Sequence, residues 1–284
     1  MSQRRRLREH VIDPIVAITV TLAVLTLIGG LLVLLEPPRP STAISNVIAP
    51  DPSAGQPSEP SIGGAPEPAD PAPAQEDYGS GKLGSWQNLS RRIASEDQIR
   101  DALMFNGIFM FGDSISVQDG AALEHLVTAQ TGDSIASHDW SGEPASAAVD
   151  ALAEWSHRYG LPGRIVMAVG TNDIFDPPAF AAQVERTMAI VGPVRTVYWV
   201  NVHAGRFKKS AAVRAADERN SAWINQQLDQ VAARHPNLKI VRWAEYLATQ
   251  PSGPATYLRD GVHTTEPVGQ DARNSLILKA IQGR

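Results

Sequence analysis

Four residues in this sequence have the types and the order that acyl transfer needs: Ser114, Asn172, Asp260 and His263. A serine hydroxyl attacks a carbonyl only when a base takes its proton, a second group orients that base, and N–H donors receive the charge that develops on oxygen. His263 can be the base. Asp260, three residues earlier in Asp260-Gly261-Val262-His263, can hold the ring from the same turn. The Asn172 amide and the backbone N–H groups of Ser114 and Gly142 can line an oxyanion hole. Asp113 beside the serine, Trp140 just ahead of Gly142 and His203 further on are candidate substrate contacts. A loop histidine at the site edge is the plainer reading of His203.

A nucleophile must be lifted out of the core and pointed at a helix start. Gly107 to Phe111 is an apolar, aromatic run with the length of a buried strand. It stops at Gly112, the Asp113-Ser114 pair follows, and Ala121, Ala122, Leu123, Leu126 and Val127 then recur at helical spacing. Strand, glycine turn, serine, helix places a serine at the carboxyl end of a sheet, where open α/β sheets carry their chemistry. Gly-Asp-Ser also occurs as Gly132-Asp133-Ser134, but there it follows a helix end and precedes a strand. That is turn chemistry, with Gly as cap and Asp as turn former, and it puts Ser134 at the amino edge. Ser114 is therefore the expected nucleophile.

The remaining pieces fall at expected strand ends. Further strands are expected near Ser134–Ser137, over Arg164–Val169, Thr196–Val200 and Lys239–Trp243. Helices are expected to about Gln130 and over Ala145–Tyr159, Pro178–Ile190, Ala212–Arg234 and Pro267–Ile281. Ahead of them, Trp86, Leu89 and Ile93, then Ile99 and Leu103, have the spacing of one or two short helices. Strands alternating with helices give an α/β fold with a parallel sheet, here of five strands, covered on both faces.

These blocks resemble the SGNH hydrolase superfamily, also called GDSL esterases and lipases. The match runs from about Ile108 to Ile281: Gly112-Asp113-Ser114, Gly142, Gly170-Thr171-Asn172-Asp173 and Asp260-Gly261-Val262-His263. Ile115 stands where the signature usually has leucine, and the Ser141-Gly142-Glu143-Pro144 setting is not distinctive. The resemblance implies a flavodoxin-like three-layer α/β/α sandwich and ester chemistry by a Ser-His-Asp mechanism without a cofactor. The Val200-Asn201-Val202 strand end, Asn220, Trp223 and the block ending in Thr264 are similar to the extracytoplasmic SGNH domains of cell-wall O-acetyltransferases.

Composition narrows the setting. The chain has 284 residues, a formal charge of −5 and no cysteine, which excludes disulfides, thiolate catalysis and cysteine metal sites. Mild acidity gives no nucleic-acid footprint. Residues 15–35 run without a charge after Arg4, Arg5, Arg6 and Arg8, as expected of a transmembrane signal-anchor with residues 1–14 cytoplasmic and the rest outside. A cleaved signal peptide is the alternative. Residues 36–84, rich in Pro, Ala and Ser, are expected to be a disordered linker, and residues 85–284 the catalytic domain. His138-Asp139 is half a metal site without further ligands, so no metal is expected. Trp140, Trp199 and Trp243 could stack on sugar, although core packing suits Trp199 better. Arg206, Lys208 and Lys209 read as a solvated basic loop, or as a contact for an anionic polymer.

The sequence thus leads to a membrane-anchored, extracytoplasmic serine esterase acting on acyl esters, O-acetyl groups of envelope glycans foremost. Its partners would be an acylated glycan or small ester and the membrane, with no nucleic acid. The first alternative is an O-acetyltransferase served by a separate membrane acyl-donor protein. The second is a non-catalytic envelope-binding module.

Overall fold

The strand that delivers Ser114 lies at the centre of a six-stranded sheet with order β1-β3-β2-β4-β5-β6. The computed structural model describes residues 77–284. The strands are β1 (Arg91–Ile93), β2 (Ile108–Gly112), β3 (Ile135–Trp140), β4 (Arg164–Ala168), β5 (Thr196–Val200) and β6 (Leu238–Val241). The helices are α1 (Glu96–Met104), α2 (Ser114–Thr131), α3 (Ala145–Tyr159), α4 (Phe180–Val191), α5 (Ala211–Ala232), α6 (Trp243–Thr249) and α7 (Val268–Ile281). The expected basic tail, membrane segment and most of the linker lie outside the described residues. Among the described residues, no helix is long and apolar enough to cross a membrane.

The alternation of side chains in β2 explains the three layers. Phe109 and Phe111 point to one face, where they pack with α3, α4 and α5 through Leu152, Trp155, Phe180, Val184, Ile224 and Leu228. Ile108 and Met110 point to the other, against Leu123 and Val127 of α2, Trp243 of α6 and Ile277 of α7. All four β2 side chains are fully buried. Truncating Phe109 or Phe111 to alanine would cost about 3–5 kcal/mol, because each fills space on a face that cannot collapse.

Five strands are parallel, as expected, but the sheet has a sixth, β1, which pairs antiparallel with β3 from Arg91↔Trp140 to Ile93↔His138. This corrects both the strand count and the helix expected over Trp86–Ile93. Leu89 and Ile93 are 49% and 43% exposed, so their helical spacing marks no buried face. What holds β1 is Arg92, bonded to Asp139 (3.3 Å), Ser137 (2.8 Å) and Glu124 (2.9 Å), all distant in sequence. The second correction is α6. The expected last strand ran to Trp243, but β6 ends at Val241 and Trp243 starts a helix.

Setting β1 aside, the order β3-β2-β4-β5-β6 reverses direction at β2 and β4. The crevice outside the carboxyl ends of those strands is where such sheets bind ligands. Ser114 follows β2, and Asn172 follows β4.

Candidate active site

Gly112 ends β2 because nothing larger fits: a Cβ there would lie 2.2 Å from Ser116 Cβ and 2.7 Å from Asp139 Oδ1. Asp113 then caps α2, its carboxylate accepting the Ile115 N–H at 3.0 Å. Ser114 is the first helical residue, so its own N–H has no partner within the helix. The turn before α7 brings His263 to it. His263 Nε2 lies 2.9 Å from Ser114 Oγ, and His263 Nδ1 lies 2.8 Å from Asp260 Oδ2. A carboxylate only accepts, so the Nδ1 proton faces Asp260 and the free Nε2 lone pair faces the serine hydroxyl.

Asp260 is itself held. Its Oδ1 accepts the Val262 N–H at 3.0 Å and the His263 N–H at 2.8 Å. Burial would raise its pKa, but those N–H groups and the imidazole outweigh burial and hold it below the usual carboxylate range. The turn is zipped to the loop after β5, where Gly205 N–H donates to Gly261 O and Phe207 N–H to Asp260 O, both at 2.9 Å. Gly261 has φ 90°, and a Cβ there would lie 2.0 Å from Gly205 O. On the other side, Thr264 Oγ1 donates to buried Asp119 of α2 at 2.8 Å, and Gln118 donates to Thr264 O at 3.1 Å. The helix that carries the serine therefore also anchors the histidine turn.

Asn172 stands in a 3-10 turn, Thr171–Phe175, beyond β4. Its Nδ2 donates to Glu143 O at 3.1 Å, which leaves the second amide N–H for a ligand. Asp173 accepts the Ala145 N–H at the start of α3 at 2.9 Å. Asn220, reaching from α5, donates to Ile174 O at 2.9 Å and pins the turn from behind. Glu143 O thus ties Asn172 to the loop of Gly142. Gly142 has φ 78°, and a Cβ there would meet Trp86 Cβ at 2.8 Å. Buried carboxyls crowd this floor. Burial drives Asp173 up to about 7, and burial also raises Asp113 and Glu143.

A cavity of about 300 Å³ opens over Ser114, His263, Asp260, Thr171 and Asn172. Ile174, Phe175 and Val262 give it an apolar wall, and Arg206, Lys208 and Lys209 a basic one. In sequence that loop reads as solvated, with contact to an anionic polymer as the alternative, and its place in the cavity wall is what the structure adds. The signal for it is the loop's place directly after a strand carboxyl end.

Other residues singled out in sequence lie elsewhere. His203 borders a much smaller internal space with Arg273 and Thr171, and burial lowers its pKa. Asp113 is buried as the α2 cap. Trp140 packs against Trp86, with the Arg91 guanidinium 4.7 Å from its ring centre, and does not line the cavity. Trp199 and Trp243 are core residues on opposite faces of the sheet, so the three tryptophans form no common platform. His138 faces Glu143 at 3.6 Å, and Asp139 pairs with Arg92 at 3.1 Å. Among the described residues no group of three or more His, Cys, Asp or Glu could hold a metal ion. Ser134 precedes β3 at the amino edge, after the left-handed cap Gly132.

No protein-family model and no curated protein matches the chain. Solved structures do. A lipase/acylhydrolase from Enterococcus faecalis is 19% identical with a TM-score of 0.52, over 63% of this chain and 96% of that one. A GDSL-like lipase from Bacteroides thetaiotaomicron is 16% identical with a TM-score of 0.50, over 64% and 91%. The C-terminal catalytic domain of Streptococcus pneumoniae peptidoglycan O-acetyltransferase A is 20% identical with a TM-score of 0.48, over 62% and 93%. This likeness of fold agrees with the resemblance drawn from the sequence blocks, and the described domain has the fold of the GDSL, or SGNH, hydrolases.

Proposed function

We propose that this protein is a serine esterase that cleaves acyl esters, with O-acetyl groups on cell-envelope glycans as its substrates. The observation that carries the proposal is the unbroken chain from Ser114 Oγ to His263 at 2.9 Å and from His263 to Asp260 at 2.8 Å, at the floor of an open cavity. In this mechanism the serine hydroxyl attacks the ester carbonyl while His263 Nε2 takes its proton. The Ser114 and Gly142 N–H groups and the Asn172 amide receive the oxyanion. The intermediate collapses, His263 returns the proton to the departing alcohol, and an acyl-serine remains. A water that gives its proton to His263 then releases the acid and restores the serine.

The envelope setting rests on the charge-free residues 15–35 and the four arginines before them. In this reading the chain is anchored by that segment with its domain outside the cytoplasm, and protease added to intact spheroplasts removes the domain. Full protection would refute that part alone.

A serine-reactive phosphonate tests the chemistry directly. Wild type and Ser134→Ala should be labelled, and Ser114→Ala should not. Ser114→Ala should also lose at least ~10³-fold in ester turnover. Labelling that survives in Ser114→Ala and vanishes in Ser134→Ala would overturn the assignment. Acetate and acetylated glycan, measured separately from an acetyl donor with and without glycan acceptor, distinguish hydrolysis from transfer.

A further inference from the structure

We infer that the cavity over Ser114 selects esters carrying an anionic group, a carboxylate or a phosphate, held by Lys208 and Lys209 beside the scissile ester. The inference rests on the esterase reading for what the cavity does, and on the following geometry for what it binds.

Both lysines line the cavity that contains Ser114 and His263. Neither has an ion-pair partner among the described residues, whereas Arg206, two residues before Lys208, is spoken for. Arg206 bonds the buried Asp217 at 2.6 and 2.8 Å and Ser80 O at 2.6 Å, and it lies over the Phe175 ring at 5.1 Å. Its charge is spent on the fold, and theirs is not. Among the described residues Asp260 is the only carboxylate in the cavity wall, and it is committed to His263 and two backbone N–H groups. A chain of net charge −5 thus presents two uncompensated cations at the mouth of its candidate active site.

The lysines also start from a fixed backbone. Upstream, Arg206 is pinned and Phe207 N–H is bonded to Asp260 O. Between them, Lys209 N–H closes a turn on Arg206 O at 3.0 Å. Downstream, Ser210 caps α5 by accepting the Val213 N–H at 3.3 Å. A stretch clamped at both ends limits where the two ammonium groups can go, which reduces the ordering cost that makes most exposed ion pairs weak. The positive end of the 22-residue α5 begins two residues beyond Lys209 and adds to the same potential. The opposite wall, Ile174, Phe175 and Val262, is apolar and offers the acyl group a place away from the charge. The acyl carbon therefore faces the apolar side and the anionic part of the alcohol faces the lysines.

The test is binding of non-hydrolysable analogues to the full chain in neutral detergent: 3-acetamidobenzoate, 3-acetamidophenyl phosphate and the neutral 3-acetamidobenzamide. At low ionic strength at least one anion should bind roughly 3- to 20-fold more tightly than the amide. That ratio should fall to about 1 in Lys208→Gln/Lys209→Gln and in high salt, where surface charge is screened. It should persist in Lys239→Gln/Lys279→Gln, which makes the same charge change outside the cavity. The stronger anion identifies the source, a carboxylate pointing to acidic sugars and a phosphate to phosphorylated polymers. A ratio near 1 in wild type, or one unchanged by Lys208→Gln/Lys209→Gln, overturns the inference. Turnover of 3-acetoxybenzamide, lost in Ser114→Ala, is followed in parallel. Its absence with anion selectivity intact would refute the esterase reading and leave the anion site standing, and the converse result would do the reverse.

Discussion

Replacing Asp260 by asparagine exchanges one oxygen for an amide and leaves the size of the side chain unchanged. In the native turn, Oδ1 takes two backbone N–H groups at 3.0 and 2.8 Å, and Oδ2 takes the imidazole Nδ1–H. Asparagine has a single oxygen for these three donors. Left on the backbone pair, that oxygen forces the NH₂ against His263 Nδ1. Nδ1 must then accept, the ring proton moves to Nε2, and Nε2 faces Ser114 Oγ as a donor unable to take its proton. Flipping the amide restores the tautomer but gives up two backbone hydrogen bonds, about 0.5–1.5 kcal/mol each. That alone costs about 1–3 kcal/mol, roughly 5- to 150-fold at 1.36 kcal/mol per decade. The imidazolium formed during attack then also lacks its carboxylate. No backbone carbonyl bonds Nδ1 to share the task, since its partner is Asp260.

The expected loss in kcat/KM is therefore ~10³- to 10⁴-fold, the scale found where a carboxylate fixes a catalytic histidine tautomer. The assay is hydrolysis of a short-chain chromogenic ester from pH 5 to 9, paired with ¹⁵N NMR of the His263 ring. Asp260, held below the usual carboxylate range, stays ionised throughout that pH span. A folded variant that loses less than about 10-fold, with the ring proton still on Nδ1, would refute the argument.

Three further outcomes follow from the same geometry. Asn172→Ala should lower kcat by ~10²–10³-fold with little change in KM, because the amide meets charge that develops only in the transition state; an equal effect on KM would mean ground-state binding. Gly261→Ala should destabilise the fold by at least ~1–3 kcal/mol, since φ is 90° and the new Cβ would lie 2.0 Å from Gly205 O; an unchanged Tm together with full phosphonate labelling would contradict this. Asp173 carries a proton up to about 7 in the fold, against 3.8 ordinarily, so its contribution is fully present below pH 4 and lost as pH rises through 7. Asp173→Asn keeps an oxygen for the Ala145 N–H and should flatten the decline of Tm between pH 4 and 8, whereas parallel curves would reject that assignment.

The residues that were legible in sequence are those whose roles are set within a few positions of the chain. Ser114 is announced by the apolar strand before it and the helical spacing after it. Asp260 and His263 lie on one turn, where their spacing allows the pairing that the structure shows at 2.8 Å. Gly132 caps α2 in the left-handed conformation expected of it, which separates the two Gly-Asp-Ser copies.

What was not legible depends on partners far away. Nothing local in Arg91-Arg92-Ile93 says strand. It becomes one because Arg92 finds Asp139, Ser137 and Glu124, contacts separated by 32 to 47 positions. Trp243 ends the stretch Lys239–Trp243, which reads as strand through Ile240 and Val241, yet Glu245 in the first turn and Leu247 four residues on were a helix signal that this stretch concealed. Asn220 gives no local sign of its task. Its role exists only once α5 crosses behind the turn that carries Asn172, where it donates to Ile174 O.

The basic loop shows the same division within four residues. Composition cannot tell a structural cation from a free one, and Arg206, Lys208 and Lys209 look alike in the sequence. Only the fold sorts them, by burying Asp217 under Arg206 and giving the lysines no ion-pair partner among the described residues. One charge holds the wall of the cavity in place, and two are left to face what enters it.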